Sequence, residues 1–244
     1  MEELGAKPWP GGLSWDPDRA AFHGPSRTLL VADLHLGFEW VQRARGHLIP
    51  LARPDHVPDR LRALSERWGA RRIVALGDVV HGDPRMEGVR SAVSALLRTL
   101  PGMEWHVVLG NHDRGLASVI EGLGIPGVTC GLEWGGDGLL GVHGDQCPRV
   151  EDGVVVVSGH EHPMVDVGRP GTGEVRVPAF VVGKRGVILP AFSPWAPGSV
   201  VGRRPMLGEW GRRLEVTCYV ACMGRRLLEI PAGRLGRGSG GRGS

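Results

Sequence analysis

Residues 107–113 read VVLGNHD: an apolar run, a glycine, and then three polar side chains. An apolar run that ends in polar residues occurs at four other places in the chain. The other segments are TLLVAD at 28–33, RIVALGD at 72–78, LLGVHGD at 139–145 and VVVVSGHEH at 154–162. Short runs rich in Val, Ile and Leu are typical of strands that are buried on both faces. The repeat therefore predicts a sheet whose strands end in polar clusters.

Two stretches between the first three runs have apolar residues at helical spacings of three and four. They cover residues 54–68 and 86–100. Strands that alternate with helices predict a parallel sheet built from right-handed crossovers. After about residue 170 the helical pattern ends, and strands separated by Gly and Pro turns are expected at 174–182, 186–189, 214–221 and 225–230. We expect these strands to form a second sheet packed on the first.

The chain of 244 residues is short enough for a single domain, which we place at residues 1–232. Its hydrophobic content of 41% and charged content of 23% are ordinary for a globular protein. The Gly- and Arg-rich tail at 233–244 cannot bury a core, so we expect it to be disordered. No apolar stretch reaches the roughly 18 residues of a membrane helix, and the acidic N-terminus lacks the apolar segment of a signal peptide. These features predict a cytoplasmic protein without a membrane partner.

The remaining composition argues against several classes of site. The four cysteines are scattered and form no Cys-x-x-Cys pair, so we interpret them as small buried residues or inert thiols. Residues 122–127 fit Gly-x-Gly-x-x-Gly, but they include Pro126 and do not join a buried strand to a helix. No Walker A sequence occurs. The sequence therefore does not predict an enzyme that uses a nucleotide cofactor.

Histidines are concentrated in the polar clusters at the predicted strand ends. Six of the ten lie there, namely His35, His81, His112, His143, His160 and His162. Ligands gather at the carboxyl ends of parallel strands in open α/β sheets. Mixed histidine and carboxylate clusters in such places mark metal or catalytic sites. Histidines buried singly for packing would not be expected to cluster in this way.

The candidate metal ligands are two aspartates, one asparagine and four histidines. They are Asp33, His35, Asp78, Asn111, His143, His160 and His162. In an extended segment residues two apart face alike, so we expect the Asp-x-His and His-x-His pairs each to point into one site. Asp78 is placed to bridge two cations. The set is large enough to hold two metals with positions left for water and substrate.

Two such ions would support hydrolysis of a phosphate ester. At a separation of about 3.5–4 Å they would clamp a phosphoryl group for in-line attack. They would also lower the pKa of a bridging water from about 15.7 toward about 7, so that hydroxide forms near neutral pH. A site rich in imidazole suits divalent transition metals such as Mn, Fe, Zn, Co or Ni better than Ca or Mg.

Five blocks resemble, in the same order, the signature motifs of calcineurin-like metallophosphoesterases. They are Asp33-x-His35, Gly77-Asp78-x-x-His81, Gly110-Asn111-His112-Asp113, His143-Gly144 and Gly159-His160-x-His162. The resemblance implies a four-layer αββα sandwich of two mixed β-sheets flanked by helices. It also implies that one metal is held by Asp33, His35, Asp78 and His162. The other would be held by Asp78, Asn111, His143 and His160.

The same resemblance implies roles for three further residues. His112 resembles the family's catalytic histidine, which would stabilise the transition state or protonate the leaving oxygen. Asp113 would orient the His112 imidazole through a hydrogen bond. His81 resembles the histidine found at this position in nuclease-like branches, where it would contact the substrate.

A narrower resemblance covers most of the chain. LLVADLHLG, RARGHLIP, IVALGDVVHG, LGNHDR, SGHEHP and LPAF look like segments of the DNA ligase-associated metallophosphoesterases and their archaeal relatives. That branch implies a manganese-dependent phosphodiesterase and nuclease linked to DNA repair, with single-stranded DNA as a substrate and repair proteins as partners. The chain departs from the branch at residues 193–198, SPWAPG, where relatives carry a Gly/Thr-rich turn. This loop would shape the substrate groove.

Two alternatives stay open. The same site would serve a small nucleotide-type phosphodiester or phosphomonoester instead of DNA, with phosphates steered by arginines beside the motifs. Those arginines are Arg43, Arg45, Arg114 and Arg149. The second alternative is a non-catalytic scaffold. Scaffolds with this fold typically lack several ligands, whereas all seven are present here together with His112.

Overall fold

A computed structural model describes residues 9–49, 56–168, 173–202 and 205–235. The N-terminal half of the chain builds the first sheet. Its strands, in their spatial order, are β1 (Leu13–Asp16), β2 (Ala20–His23), β3 (Thr28–Val31), β4 (Arg72–Leu76), β5 (Glu104–Val108) and β6 (Val128–Gly131). The β1–β2 and β2–β3 pairs are antiparallel, and β3 to β6 run parallel. The parallel part confirms the prediction from alternating strands and helices.

Helices follow β3, β4 and β5 along the chain. They are α1 (Phe38–Ala44), α2 (His56–Trp68), α3 (Glu87–Arg98) and α4 (Leu116–Leu123). Helices α2 and α3 confirm the predicted helical stretches, of which residues 54 and 55 lie outside the described residues. Helices α1 and α4 have only seven and eight residues, too few to show a clear period. Within the described ranges, no helix is long and apolar enough to cross a bilayer.

The second sheet is also mixed. Its strands are β7 (Glu133–Gly136), β8 (Leu139–Val142), β9 (Val155–Ser158), β10 (Pro163–Asp166), β11 (Arg176–Gly183), β12 (Gly186–Ile188), β13 (Ser199–Val200), β14 (Val216–Met223) and β15 (Arg226–Pro231). The main path runs β13-β10-β11-β12-β9-β8-β7, and β14 joins β11 to β15. Strands β8, β9 and β12 are parallel to their neighbours in that set. Strands β11, β12, β14 and β15 confirm the four strands predicted after residue 170.

Alternate side chains of the first sheet pack into different layers. On β3, Leu29 belongs to the core shared with helices α2 to α4, and Leu30 belongs to the core between the two sheets. On β4, Ile73 and Val74 alternate in the same way. All four side chains are completely buried. Burial on both faces therefore accounts for the continuous apolar runs in the sequence.

The outer face of the second sheet carries two short helices, α5 (Glu209–Arg213) and α6 (Ala232–Leu235). Trp210 of α5 packs there against the apolar side chains of the sheet, including Val156 and Ile188. The expectation that helices end at about residue 170 is therefore wrong. Each of these helices is about one turn long, so neither leaves a periodic pattern in the sequence. The αββα sandwich of two mixed sheets is confirmed, with a thin fourth layer.

The predicted C-terminal tail begins inside helix α6. Its first three residues, 233–235, belong to that helix, while residues 236–244 lie outside the described part of the chain. Residues 233–235 are therefore helical, and the disorder expected for residues 236–244 stays a prediction. The end of β15 leads directly into α6, which ends at Leu235.

The four cysteines are free thiols, and Cys218 and Cys222 are buried on β14. Burial raises the pKa of the Cys218 thiol to about 11 and that of the Cys222 thiol to about 12. Both thiols therefore stay protonated near neutral pH, which agrees with the interpretation of inert buried residues.

Backbone hydrogen bonds beyond the strand ends hold the polar clusters in register. The N–H of Asp33 donates to the carbonyl of Gly77 at 3.1 Å, and the N–H of His35 donates to the carbonyl of Asp78 at 2.9 Å. In the second sheet, the N–H of Gly159 donates to the carbonyl of His143 at 2.9 Å. The loops after neighbouring parallel strands are thus joined directly to each other. This arrangement places their side chains at one edge of the sandwich.

Candidate metal centre

The side chains at this edge form two groups. In the first group, one ligand atom from each residue lies within 4.8 Å of the others, and its members are Asp33, His35, Asp78 and His162. The second group meets the same limit, and its members are Asp78, His143 and His160. Asp78 belongs to both groups. Its carboxylate therefore has the position of a bridge between two ions.

Asn111 extends the second group. Its Oδ1 atom lies 2.9 Å from Nε2 of His143. Asn111 follows β5 in an exposed turn, so its carbonyl oxygen can reach both the group and solvent. The structure thus brings together all seven candidate ligands that the sequence indicates.

The spacing of the ring nitrogens fits metal ions held in common. Nε2 of His35 lies 3.3 Å from Nε2 of His162, and Nε2 of His143 lies 3.1 Å from Nδ1 of His160. Two nitrogens bound at about 2.1 Å to one ion, with an angle of about 90–110° between them, are about 3.0–3.4 Å apart. The observed separations fall in that range. The donor set of imidazole, carboxylate and amide oxygen also suits a divalent transition metal.

Two of these rings are oriented by backbone carbonyls. Nδ1 of His143 lies 3.3 Å from the carbonyl of Leu76, and Nδ1 of His162 lies 3.3 Å from the carbonyl of Pro197. A carbonyl can only accept, so each Nδ1 carries a hydrogen, and in the neutral ring Nε2 then presents its lone pair to the ligand group. Hydrogen bonds of this kind commonly fix the tautomer of a metal-binding histidine.

The two carboxylates of the centre are buried. Asp33 is 0% exposed and Asp78 is 3% exposed. Backbone N–H groups bind both: that of His160 donates to Asp33 at 3.0 Å, and that of His112 donates to Asp78 at 3.0 Å. Among the described residues, neither carboxylate pairs with a lysine or an arginine. Because a buried charge needs compensation, bound cations would stabilise this arrangement.

Five of the seven candidate ligands have a left-handed backbone. Their φ angles are 54° at Asp33, 46° at His35, 48° at Asp78, 74° at His160 and 44° at His162. Residues other than glycine rarely adopt this conformation, which costs about 1–3 kcal/mol each. The expectation that the ligand pairs lie on extended segments is therefore wrong. Tight turns, not strand alternation, bring the paired side chains into one site.

Two glycines make the close packing of these turns possible. A Cβ atom on Gly77 would lie 2.2 Å from Nδ1 of His143, and one on Gly110 would lie 2.3 Å from Oδ1 of Asp78. Any side chain at either position would displace a ligand. Steric exclusion thus explains why glycines occupy these two positions beside the candidate ligands.

The family model for calcineurin-like phosphoesterases matches residues 26–160, more than half of the chain. The protein belongs to the calcineurin-like phosphoesterase family. Members of this family are binuclear metal-dependent enzymes, and the two ligand groups agree with that property. No curated protein sequence matches the chain significantly.

Two solved structures are similar to this phosphoesterase. The Pseudomonas putida nuclease MPE has a TM-score of 0.66 and 21% sequence identity, over 88% of this chain and 94% of that chain. YfcE, a phosphoesterase from E. coli, has a TM-score of 0.42 and 18% identity, over 84% of this chain and 98% of that chain. At these identities the likeness to the nuclease shows a shared fold.

Burial is the main cause of the low pKa of two imidazoles in the phosphoesterase site. It lowers the pKa of His35 to about 4, with a further contribution from the nearby His162 ring. It also lowers the pKa of His160. Burial lowers the pKa of His162 as well, but the hydrogen bond and charge of Asp33 outweigh it and the net pKa is raised. His35 and His160 are therefore neutral near pH 7, the form in which imidazole binds a metal.

Asp113 does not have the expected role. Its carboxylate accepts hydrogen bonds from the backbone N–H groups of Gly110 at 2.8 Å, Val80 at 3.0 Å and Val79 at 3.2 Å. Within the described part of the chain, the Asp113 carboxylate forms no hydrogen bond with the His112 imidazole, contrary to the prediction. Burial raises the pKa of Asp113 to about 6, although the three N–H groups oppose this shift. Asp113 therefore ties the loop after β4 to the loop after β5, which keeps Asp78 and Asn111 together.

His112 and His81 lie at the rim of the first ligand group. The ring centroid of His112 is 5.9 Å from that of His35, and the ring centroid of His81 is 5.7 Å from that of His35. The His112 and His81 rings are stacked, with centroids 6.2 Å apart and an interplanar angle of 12°. His112 is exposed and His81 is half-buried, so both can approach a substrate.

Glu161 also supports the site, although the sequence reasoning omitted it. Its carboxylate is 3% exposed and accepts N–H groups from Leu207 at 2.8 Å and Gly208 at 2.7 Å. These bonds fix the segment before α5 against the turn that carries His160 and His162. The sequence feature that could have indicated this role is the position of Glu161 between two candidate ligand histidines.

A groove of about 460 Å³ lies beside the second ligand group. Asn111 and His143 line it on the side of the metal centre. Arg114, Asp145 and Cys147 lie along the rest of its wall. The groove is the space through which a substrate or product could reach this half of the centre.

Proposed function

We propose that this calcineurin-like protein is a phosphodiesterase that uses two divalent transition metal ions, with manganese as the first candidate. Its proposed substrate is single-stranded DNA, and its proposed context is DNA repair in the cytoplasm together with other repair proteins. The observation that carries the phosphodiesterase proposal is the pair of ligand groups that share Asp78.

Each proposed ion has a complete ligand set. Asp33, His35, Asp78 and His162 would hold one ion, and Asp78, Asn111, His143 and His160 would hold the other. When bound, two such ions activate water as a nucleophile and neutralise the charge of the phosphate. Asp78 couples the two halves, because among the described residues its buried carboxylate alone belongs to both groups.

His112 is the proposed catalytic histidine. Its backbone N–H donates to Oδ1 of Asp78 at 3.0 Å, which fixes the start of its side chain relative to the bridging carboxylate. The exposed imidazole can then donate a proton to the leaving oxygen or a hydrogen bond to the developing charge. His81 stacks on this ring and is proposed to contact substrate and keep the His112 imidazole in place.

The preference for DNA rests on resemblance, and the groove favours a second candidate. The sequence segments similar to DNA ligase-associated metallophosphoesterases support a nuclease, and the Pseudomonas putida protein of similar fold is itself a nuclease. The groove of about 460 Å³ beside Asn111 is large enough for a nucleotide-sized group. A small nucleotide-type diester is therefore the alternative substrate. The complete ligand set argues against a non-catalytic scaffold.

The test compares three substrates with metal-stripped protein reloaded with manganese. They are bis(4-nitrophenyl) phosphate, 4-nitrophenyl phosphate and end-labelled single-stranded DNA. We expect hydrolysis of the diester and of DNA, with none in the Asp78→Ala variant. Hydrolysis of the diester without DNA would select the small-substrate enzyme. Absence of turnover with manganese, iron, zinc, cobalt and nickel would refute the enzyme and favour the scaffold.

A further inference from the structure

Four aromatic rings form a series beside the first ligand group. The stacked rings of His112 and His81 begin it at the metal centre. The Phe38 ring follows, with its centroid 4.8 Å from that of His81. Trp195 is stacked on Phe38, with centroids 5.8 Å apart and an interplanar angle of 11°. The series therefore leads from the proposed catalytic imidazole to an indole that is only half-buried.

The indole of Trp195 is held in one orientation. Its Nε1–H donates to Oε1 of Glu39 at 2.7 Å, and Glu39 follows Phe38 on helix α1. Its backbone N–H donates to Oγ of Ser193 at 3.2 Å. A ring that is already fixed loses little entropy when a flat partner stacks on it.

The loop that carries Trp195 is attached to the metal centre at both ends. Before the tryptophan, the N–H of Ser193 donates to the carbonyl of Asp33 at 3.1 Å. After it, the carbonyl of Pro197 accepts from Nδ1 of His162 at 3.3 Å. Because Asp33 and His162 are candidate ligands of the same ion, these bonds fix the distance between the indole and that ion's site.

We propose that the Phe38–Trp195 pair is a stacking subsite for a nucleobase joined to the scissile phosphodiester. The inference rests on the proposed phosphodiesterase function and specifies its substrate class as nucleotidyl diesters. Every nucleobase has a flat π-face, so such a subsite accepts any base. Helix α1, which carries Phe38, has exposed Arg43 in its last turn and exposed Arg45 directly after its end, and the charges of these two arginines suit the adjoining phosphates.

A stacking subsite and a packing role make different predictions. If the ring pair only packed the loop, its loss would affect all substrates to the same extent. A base subsite instead distinguishes a substrate that has bases from one that lacks them. The informative quantity is therefore the ratio of the two kcat/KM values, which does not depend on a general loss of activity.

The experiment measures kcat/KM for tetrathymidylate and for a four-residue abasic oligomer with tetrahydrofuran sugars and the same phosphates. We expect the intact protein to prefer the oligomer with bases by about 5- to 150-fold, the range that stacking of one base supports. Trp195→Ala should lower this ratio at least fivefold, and Trp195→Phe should retain most of it. Trp40→Ala is the matched control, because the Trp40 ring packs over Gly88 outside the ring series. The control should keep the ratio of the intact protein.

Three results would overturn the inference. One is equal hydrolysis of the two oligomers by the intact protein. Another is an equal loss on both oligomers in Trp195→Ala, with metal content measured in parallel to detect damage to the centre. The third is hydrolysis of bis(4-nitrophenyl) phosphate with neither oligomer cleaved, which leaves the phosphodiesterase proposal in place. Failure to hydrolyse any diester would instead refute the proposed function, and the inference with it.

Discussion

The two ligand groups share Asp78 but lie in different surroundings. The first group is flanked by the aromatic ring series and by the loop around Trp195, whose hydrogen bonds reach Asp33 and His162. The second group opens onto a groove of about 460 Å³. A fixed, flat surface suits recognition of a particular substituent, whereas an open groove suits entry and release. On the proposed function, the aromatic pair and the groove would therefore contact different parts of one substrate.

Replacement of Asp78 should have the largest effect on metal content and activity, because its carboxylate belongs to both ligand groups. In Asp78→Ala we expect both ions and all measurable diester hydrolysis to be lost. The measurements are metal content by mass spectrometry and turnover of bis(4-nitrophenyl) phosphate. His160→Ala is the control, since its ring belongs to the second group alone and its loss should spare the first ion. Retention of two ions in Asp78→Ala would contradict the shared role.

His112→Ala tests whether chemistry and metal binding are separate properties of the centre. We expect kcat to fall by about 10²–10⁴-fold with both ions still bound, because the proposed role of the imidazole is to act on the substrate and not to bind an ion. Turnover and metal content are measured on the same sample. His106→Ala is a matched control, since the His106 ring binds Thr129 on the neighbouring strand. A variant of His112 that lost its ions, or that kept the full rate, would disprove the assignment.

Arg60 anchors the segment that leads into the Trp195 loop. The Arg60 guanidinium donates to the carbonyls of Phe192 and Asp18, each at 2.7 Å, and lies over the Phe192 ring. Arg60→Ala should lower the free energy of unfolding by about 2–3 kcal/mol, because two charge-assisted hydrogen bonds are lost. Denaturant titration measures this change. Arg62→Ala is the comparison: Arg62 forms an exposed pair with Asp59, so its loss should cost less than about 1 kcal/mol. Equal effects of the two variants would contradict the anchoring role of Arg60.

The smallest effect is expected in the open half. Arg114 lies on the wall of the groove and is exposed. In Arg114→Gln we expect the KM for a diester to rise about 2- to 5-fold, since a solvated charge contributes about 0.5–1 kcal/mol of attraction for a phosphate. Steady-state kinetics at two salt concentrations measure the change. If Arg114→Gln instead lost the preference for substrates with bases, the base would be recognised in the groove and not at the Phe38–Trp195 pair.

The sequence predicted the parts of the molecule that depend on local pattern. Apolar runs indicated the strands, and spacings of three and four residues indicated α2 and α3. The polar clusters indicated seven candidate ligands, and the structure brings their side chains together, while metal binding itself stays a prediction. The exact backbone of the ligand turns was not predictable in this way, because a positive φ at an aspartate or histidine depends on the packing around it. Long-range contacts were equally hidden. Trp195 and Phe38 are 157 positions apart in the chain, and nothing in their local sequences indicates that they stack.

The left-handed backbone of five candidate ligands limits how this arrangement can be transferred to another protein. A designer who placed the same seven side chains at the edge of a different sheet would reproduce the metal-binding groups but not the left-handed turns that orient them. The paired aspartate and histidine would then point in directions set by ordinary strand geometry. The transferable unit is the turn together with its adjoining glycine, such as Gly77 with Asp78, and not the list of ligands. Evolutionary change at this edge is restricted in the same way, since an alanine at Gly77 or Gly110 would remove the space that the neighbouring ligand occupies.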